Sequence, residues 1–320
     1  MVMQKNKKYD IVGIGNAIVD LIAEVDDSYL EKNSINKGSM SLVDYDVANR
    51  IGNEVDIVKT ISGGSVANSI VCIAQQNLKT VFIGKVNQDE LGEKFAKGLA
   101  EENVEFKITK SLANKHTARC IILVSTDAER TMNTYLGVSQ ELTEEDVDLN
   151  IIEESSILYL EGYLWDLDNA KKAIKKSIST AINSETKIAF SISDAFCVDR
   201  FREEFIDLVN NSADIIFANE SEIKSLFETN ELNDAIKKCQ DTKKIFAVTL
   251  GDKGAKIVYK NEVVDIKAEV INKLVDTTGA GDLFAAGFLA EYLKTQDLEL
   301  SGKQGVKMAS IIIQQFGARI

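Results

Sequence analysis

The chain has 320 residues, 45% of them hydrophobic, with a formal net charge of −13 and a sequence pI near 4.8. This length and apolar content predict one extended α/β domain, or one domain with a small appendage. The acidic surface would repel nucleic acid and anionic lipid, so we expect neither as a partner, although a local helix terminus can still bind an anionic small molecule.

Cysteine and histidine usage excludes further classes of protein. The four cysteines form no Cys-x-x-Cys pair, and His116 is the single histidine. We therefore expect neither a structural zinc site nor a Ser-His-Asp hydrolase, since the chain also lacks a Gly-x-Ser-x-Gly elbow. No apolar run approaches the roughly 18 residues of a membrane span and no cleavage signal follows the first lysines, so we expect a soluble, cytoplasmic protein.

The chain contains no proline, whereas average usage of about 5% predicts about 16 in this length. Either the source has an extreme compositional bias or the sequence was engineered. The loops lose the fixed φ angle that proline provides, which bears on rigidity and not directly on chemistry.

Buried strands alternate with helices along most of the chain. Apolar runs predict strands at 9–15, 80–86, 157–162, 187–192, 214–219 and 245–250, and helices at 68–76, 91–102 and 168–182 and from about 221. An antiparallel pair around Lys260 and Asn261, followed by two helices, completes the pattern. This alternation is typical of a doubly wound α/β fold, with a mainly parallel sheet and helices on both faces.

Two stretches interrupt the alternation, at about 17–62 and 105–140, and both contain hairpin-like patterns. We assign them to a small β-rich lid that the chain visits twice, within a single domain that spans residues 1–320. Arg130 follows Asp127-Ala-Glu at the predicted tip of a lid hairpin. An arginine there can close on a phosphate, and the alternative is a solvated surface side chain.

The most informative run is Asp276-Thr-Thr-Gly-Ala-Gly-Asp282, which comes just before an apolar helix. The small residues Gly279, Ala280 and Gly281 let backbone N–H groups converge, and the helix start adds unpaired N–H groups. Such a pocket suits phosphate oxygens, and Asp282 beside it can take a proton from an attacking hydroxyl. Gly-Ala-Gly alone could be an ordinary loop, but the full run favours phosphoryl transfer.

Polar residues also follow the first predicted strand. Asn16 and Asp20 lie past its carboxyl end, where open α/β sheets bind ligands, and together they could hold a vicinal diol. A turn is the alternative. The neighbouring Gly13-x-Gly15 is not a dinucleotide fingerprint, because Ile18 occupies the position of the third glycine, and the chain has no P-loop.

A second glycine loop leads into the helix predicted at 68–76. Gly63 and Gly64 allow close approach of the backbone to a ligand, and Asn68 would face the same crevice one turn beyond Ser65. The alternative is a glycine loop in which Ser65 caps the helix.

Two further strand ends carry candidate ligands. Asn219 and Glu222 could hold Mg²⁺ through water, and Thr249, Gly251 and Gly254 offer a hydroxyl and flexible backbone to nucleotide phosphates. For either group alone, ordinary loop residues are the alternative.

Taken in this order and spacing, these motifs resemble the ribokinase-like carbohydrate and nucleoside kinases of the PfkB family, from Gly13 to about Gly317. The run that ends at Asp282 is the most specific element, and Gly63, Gly64 and Asn68 match the first signature region. The resemblance implies Asp282 as the catalytic base, an anion hole at Gly279, Ala280 and Gly281, Mg²⁺ at Asn219 and Glu222, and a nucleotide site at Asn219, Thr249, Gly251, Gly254 and Thr277.

Within the family the chain is most similar to adenosine kinases and their bacterial relatives, on Gly13–Asp20, Gly63–Ser69 and Asp127–Arg130. This similarity implies ATP-dependent phosphorylation of the 5′-hydroxyl of adenosine or a similar nucleoside by a monomer or homodimer. ATP is then the co-substrate, with Mg²⁺ and, as a candidate, a monovalent cation such as K⁺. The implied acceptor site comprises Asn16, Asp20, Gly63, Gly64, Ser65, Asn68 and Arg130.

Two alternatives stay open. One is a sugar kinase of the ribose or fructose type with the same fold, and the other is a catalytically inactive or engineered nucleotide-binding scaffold. The intact base and glycines favour an active enzyme. Relatives often carry proline where this chain has Ala17, Ala195 or Glu220, which affects loop rigidity and not the residues assigned to chemistry.

Overall fold

The computed structural model describes residues 7–108, 115–127 and 129–320. In chain order the strands are β1 (Tyr9–Ile14), β2 (Ile18–Glu24), β3 (Met40–Leu42), β4 (Ile57–Gly63), β5 (Thr80–Gly84), β6 (Glu105–Ile108), β7 (Ala118–Val124), β8 (Arg130–Tyr135), β9 (Ser155–Glu161), β10 (Lys187–Ser191), β11 (Ile215–Asn219), β12 (Ile245–Thr249), β13 (Ala255–Tyr259) and β14 (Glu262–Ile266).

The helices connect these strands and cover the sheet. They are α1 (Asp27–Lys32), α2 (Tyr45–Glu54), α3 (Ser65–Ala74), α4 (Glu90–Glu101), α5 (Leu149–Glu153), α6 (Asp168–Asn183), α7 (Ala195–Asn211), α8 (Glu220–Leu226), α9 (Leu232–Thr242), α10 (Ala280–Thr295) and α11 (Leu298–Ile312).

The large sheet has the strand order β14-β13-β12-β11-β10-β9-β1-β5-β6, and neighbouring strands pair in parallel except that β13 is antiparallel to both β12 and β14. Alternate residues of each strand enter different cores, so Val12 packs with α6 and α7 while Ile11 packs with α3, α10 and α11. Burial on both faces explains the continuous apolar runs of these strands. The predicted doubly wound α/β fold is confirmed.

A separate small sheet has the order β3-β8-β7-β2-β4. Helices α1 and α2 cover its outer face through Leu30, Ala48 and Ile51. Its other face carries Cys120 and Ile122, which border a cavity against the large sheet. This cavity separates the two sheets at the ends of several large-sheet strands.

The boundary of the second predicted lid stretch differs from the structure. Strand β6 pairs with β5 in the large sheet, although the assignment of 105–140 to the lid included it. Residues 109–114 and Ala128, which that stretch also contains, lie outside the described residues. Within the described part of the chain, the second contribution to the small sheet is β7 and β8.

Two of the positions where the resemblance leads us to expect proline are helix starts. Ala195 and Glu220 are the first residues of α7 and α8, which is where proline is most favoured in a helix. Capping side chains hold both starts here: Asp194 accepts from Phe196 N at 2.6 Å, and Asn219 accepts from the N–H three residues later at 2.9 Å. These helix starts are therefore defined without the ring of proline.

Candidate active site

A cavity of 340 Å³ lies between the two sheets, at the carboxyl ends of β11 and β12 and the N-terminal ends of α3 and α10. Parallel strands present their carboxyl ends at one edge, which brings residues from distant parts of the chain together. Of the residues predicted from sequence, those lining this cavity are Asp20, Gly64, Ser65, Asn68, Asn219, Glu222, Thr249, Gly279, Gly281 and Asp282.

Asp282 is held by three contacts with α3. Ser65 Oγ donates to its Oδ1 at 2.6 Å, Asn68 Nδ2 donates to its Oδ2 at 3.0 Å, and Ser69 Oγ donates to its backbone carbonyl at 2.8 Å. Burial raises the pKa of Asp282 above its ordinary value, while the hydrogen bonds from Asn68 and Ser65 lower it. The carboxylate is thus oriented into the cavity by donors that favour its ionised form.

The loop before α10 has the geometry of an anion site. Gly279 has φ 78°, and a Cβ there would lie 2.7 Å from Ala318 Cβ, so both the conformation and the packing require glycine. The first intrahelical bond runs from Leu283 N to Gly279 O at 2.8 Å, which leaves the amides of Gly281 and Asp282 ahead of it. A Cβ on Gly281 would meet no described atom within 4 Å, so open space lies over this helix start.

Arg130 lies at the turn end of the β7–β8 hairpin, where it pairs with Val124, and its side chain contacts Asp276 at the start of the Asp276–Asp282 run. It is the first residue of β8, its side chain is 8% exposed, and Nη1 donates to Asp276 Oδ2. Asp276 also accepts from Thr278 N and Gly317 N, both at 2.9 Å. Sequence reasoning gave Asp276 no role of its own, because its partners are distant in the chain.

Asn219 and Glu222 form a reciprocal helix cap at the start of α8. Glu222 N donates to Asn219 Oδ1 at 2.9 Å, while Asn219 N and Nδ2 donate to the two Glu222 carboxylate oxygens at 2.9 and 2.6 Å. Burial raises the pKa of Glu222 to about 7, against a lowering by the Asn219 backbone. The spacing Asn-x-x-Glu is itself a sequence signature for this cap.

The donor set at Glu222 fits Mg²⁺ held through water. Mg²⁺ binds proteins through one or two carboxylates and keeps several waters, and Glu222 borders the cavity with a free lone pair on each carboxylate oxygen. The described residues contain no group of three or more His, Cys, Asp or Glu side chains arranged to hold a metal ion directly.

The other predicted nucleotide residues divide into two groups. Thr249 borders the cavity, and so does Thr278, whereas Thr277 is exposed and contributes its carbonyl to the turn before α10. Gly251 is exposed with φ 61°, and a Cβ on Gly254 would lie 2.1 Å from the carbonyl of Ile266. Packing against β14 therefore accounts for the glycine at position 254.

A second cavity of 700 Å³ adjoins the first and shares five lining residues with it: Ile18, Ser65, Met132, Thr134 and Tyr163. Phe196, which sequence reasoning missed, is 63% exposed in this cavity at the start of α7. Large apolar side chains from the small sheet, the residue after β8 and helix α7 line the cavity: Ile18, Met40, Leu42, Met132, Leu136 and Phe196. Exposed apolar walls that face each other are typical of a binding site for a flat apolar group.

Asn16 and the unpredicted Glu161 form the polar floor of this second cavity. Glu161 Oε1 accepts from Asn16 N and Nδ2 at 2.9 and 2.8 Å, and Oε2 accepts from Val66 N at 3.0 Å. Burial raises the pKa of Glu161 to about 7, against these donors. Asn16 Oδ1 is buried and accepts no hydrogen bond from the described residues.

The two glycines of the pair pack closely against Asn16 and Asp20. Gly64 has φ 103°, and a Cβ there would lie 2.2 Å from the Asn16 carbonyl; a Cβ on Gly63 would lie 2.5 Å from Asp20 Oδ2. Burial raises the pKa of Asp20 to about 6, while Arg130 and Arg319 lower it. The close approach of Asn16 and Asp20 to the backbone, more than contact with a ligand, explains why glycine occupies both positions.

Within the part of the chain that the structure describes, no helix has the length and apolar character needed to cross a bilayer.

Comparisons with known proteins agree on one family. A family model for pfkB family carbohydrate kinases matches residues 10–320. The crystal structure of adenosine kinase from Sinorhizobium meliloti is 41% identical, with a TM-score of 0.91 over 98% of this chain and 96% of that one. The probable sugar kinase of Rhizobium etli is 39% identical, with a TM-score of 0.91 over 98% and 95%. Adenosine kinase of Saccharomyces cerevisiae is 27% identical over 96% of this chain and 95% of its own length.

Proposed function

Because the chain belongs to the pfkB family of carbohydrate kinases, we propose that it transfers the γ-phosphoryl group of ATP to the 5′-hydroxyl of adenosine or a similar nucleoside. Similarity to named adenosine kinases supports this acceptor, and similarity to named sugar kinases keeps ribose and fructose as the competing acceptors.

The observation that carries the choice of a nucleoside is the apolar cavity beside Asp282. Its walls include Met40, Leu136 and Phe196, and its floor carries Asn16. A nucleoside offers an apolar, stackable base to such walls and hydroxyls to the polar floor, whereas a free sugar has no apolar group of that size. Asn16 and Asp20 are proposed to hold the ribose hydroxyls.

The proposed chemistry centres on Asp282. Its carboxylate accepts the proton of the acceptor hydroxyl as that oxygen attacks the γ-phosphorus, and ADP leaves from the opposite side. The amides of Gly281 and Asp282 at the start of α10 stabilise the charge on the transferred group. Ser65 and Asn68 donate to this carboxylate, which favours its ionised form against the effect of burial and fixes its orientation.

Kinases of this family use ATP with Mg²⁺, which neutralises phosphate charge. Glu222, oriented by Asn219, is proposed to hold the ion through water. Thr249 and Thr278 border the same cavity and are proposed to contact the nucleotide. K⁺ dependence stays a prediction without a residue assigned to it.

The small sheet is proposed to act as a lid. It contributes Asp20 to one cavity and Met40 and Leu42 to the other, so movement of this sheet would open or close both. Closure would exclude water, which otherwise accepts the phosphoryl group and hydrolyses ATP.

A coupled assay with adenosine, ribose and fructose at equal concentrations tests the proposal. We expect kcat/KM for adenosine to exceed that for either sugar by at least about 100-fold, because the sugars leave the apolar cavity empty. Greater turnover with ribose or fructose would overturn the choice of a nucleoside and support the sugar-kinase alternative. Absence of turnover with all three acceptors would support the inactive scaffold.

A further inference from the structure

Arg319, which follows α11, is linked to Asp282 through a single side chain. Arg319 Nε donates to Asn68 Oδ1 at 3.2 Å, and Asn68 Nδ2 donates to Asp282 Oδ2 at 3.0 Å. Arg319 is separated from Asn68 by 251 positions in the chain, and no sequence motif joins them.

We call the hydrogen bonds from Arg319 to Asn68 and from Asn68 to Asp282 the relay. Their direction follows from the chemistry of the three side chains. A guanidinium has five donors and no acceptor, so the Asn68 atom facing Arg319 must be the carbonyl oxygen. The amide nitrogen of Asn68 then has to face Asp282. Burial lowers the pKa of Arg319 to about 10, so it still carries its proton at neutral pH and can only donate.

Without that constraint, the Asn68 amide could rotate by 180° at little steric cost, because its oxygen and nitrogen are nearly equal in size. The oxygen would then face Asp282 and would accept a hydrogen bond from the protonated acid. A donor favours the carboxylate and an acceptor favours the carboxylic acid, so rotation of the amide would remove the base form. We propose that Arg319 is a positioning residue that keeps Asp282 ionised by fixing the orientation of the Asn68 amide.

The backbone around Arg319 is held in place for this contact. Gln315 Nε2 donates to the Arg319 carbonyl at 3.0 Å, Gly317 N donates to Asp276, and Ala318 packs against Gly279. The segment therefore contacts the helix that carries Asn68 and both ends of the loop before Asp282. Arg319 Nη2 is buried and has no hydrogen-bond partner among the described residues, which leaves Nε as its contact with this relay.

Other charged and titratable groups also affect the ionisation of Asp282. Their effect must be distinguished from the effect of the relay. Arg319 also lowers the pKa of Asp20, which in turn repels Asp282. The titratable or charged groups that face Asp282 from neighbouring elements are Asp20 of β2, Tyr159 and Glu161 of β9, Tyr163 after β9 and, through Asp20, Arg130 of β8 and Arg319.

The test is a ¹³C NMR titration of the Asp282 carboxyl in protein labelled at aspartate, with the resonance assigned by its loss in Asp282→Asn. We expect Arg319→Met to raise the midpoint by about one pH unit and Arg319→Lys to raise it less, since lysine keeps a donor. Lys97→Met is the matched control, because Lys97 borders the cavity behind Arg319 and pairs with Glu101. Its midpoint should equal that of the wild type.

A second arm uses the Asn68→Ala background. There, Arg319→Met should cause no further shift if Arg319 acts through the amide. An equal shift in both backgrounds would assign the effect to charge alone and overturn the proposal, as would a wild-type midpoint in Arg319→Met. If the methionine variant does not fold, Arg319→Gln replaces it, because glutamine can present either a donor or an acceptor to Asn68.

The inference rests on the proposed role of Asp282 as a base, but the titration needs neither turnover nor a known acceptor. If the protein does not phosphorylate adenosine, the proposal about Arg319 can therefore still be tested. If the enzyme is active, the acid limb of its kcat profile should move to higher pH in Arg319→Met, because an acid with a raised pKa loses its base form at higher pH. KM for ATP should stay unchanged, since Arg319 does not touch the anion loop amides.

Discussion

Arg130 of the small sheet forms an ion pair with Asp276 of the loop that leads to the proposed base. Both side chains are almost completely buried, so loss of Arg130 leaves the Asp276 carboxylate buried without its charged partner. The pair therefore ties the position of the small sheet to the conformation of the loop before α10. It is the one ion pair between these two elements among the described residues.

Arg130→Met should lower the free energy of unfolding by about 3–5 kcal/mol, because Asp276 would stay buried and charged. The double variant Arg130→Met/Asp276→Asn should lose less than the sum of the two single losses. Urea unfolding measures all three, with Arg50→Met as the control at an exposed pair with Glu54. Strict additivity would mean that the buried contact contributes no coupling energy.

Asp282→Asn should reduce turnover by roughly 10²–10⁴-fold or more while nucleotide binding persists, because the amide keeps the shape but cannot take a proton. A coupled kinase assay measures turnover, and calorimetry with a non-hydrolysable ATP analogue measures binding. Asp241→Asn, an exposed position on α9, is the matched control. Near-normal phosphorylation by Asp282→Asn would remove this residue from the role of base.

The Mg²⁺ concentration needed for half-maximal binding should fall as the pH rises through about 7. Glu222 has its pKa raised to about 7, so below this pH it is a neutral acid that does not attract a cation, and above it the carboxylate is available. Apparent Mg²⁺ affinity in the presence of ATP, measured from pH 6 to pH 8, tests this. ATP itself titrates in this range, so Glu222→Gln supplies the baseline. Parallel curves for the two proteins would argue against Glu222 as the metal site.

Phe196→Ala should raise KM for adenosine by about 5- to 150-fold, corresponding to the roughly 1–3 kcal/mol that stacking of one base on an aromatic ring contributes. Turnover with ribose, if detectable, should stay within about twofold. Phe316→Ala is the matched control, since Phe316 is 51% exposed in a different cavity. A comparable rise in KM for both acceptors would mean that Phe196 shapes the site without contacting a base.

The large-sheet fold could be predicted because its signals are local. Strands buried on both faces are continuous apolar runs. The neighbouring strands β1 and β9 can therefore each be recognised from their own residues. The sequence pattern predicts no helix at α7, although Asp194 caps its start. The helix has a kink at Phe201, where φ is −126°, and this interrupts the helical spacing of its apolar residues. Periodicity is weakest where a helix is irregular.

The site was only partly predictable for a related reason. Asp282, Asn68 and Glu222 lie in recognisable runs, and the cavity brings them together. Glu161 is joined to Asn16 across 145 positions, and its sequence signal, a carboxylate that ends a buried strand, is also found in many ordinary loops. The Asn-x-x-Glu spacing predicted a metal site, and the same four residues also form a helix cap. The same spacing is also a sequence signature for a helix cap, so the pattern alone does not distinguish the two roles.

The contacts of Gly317, Ala318 and Arg319 with the anion loop and Asn68 also set an order of events during synthesis. Every strand of both sheets precedes these three residues in the chain, so a nascent polypeptide can complete both sheets while the loop before Asp282 still lacks these partners. The loop before Asp282 would then gain these contacts only after every strand of both sheets has been made.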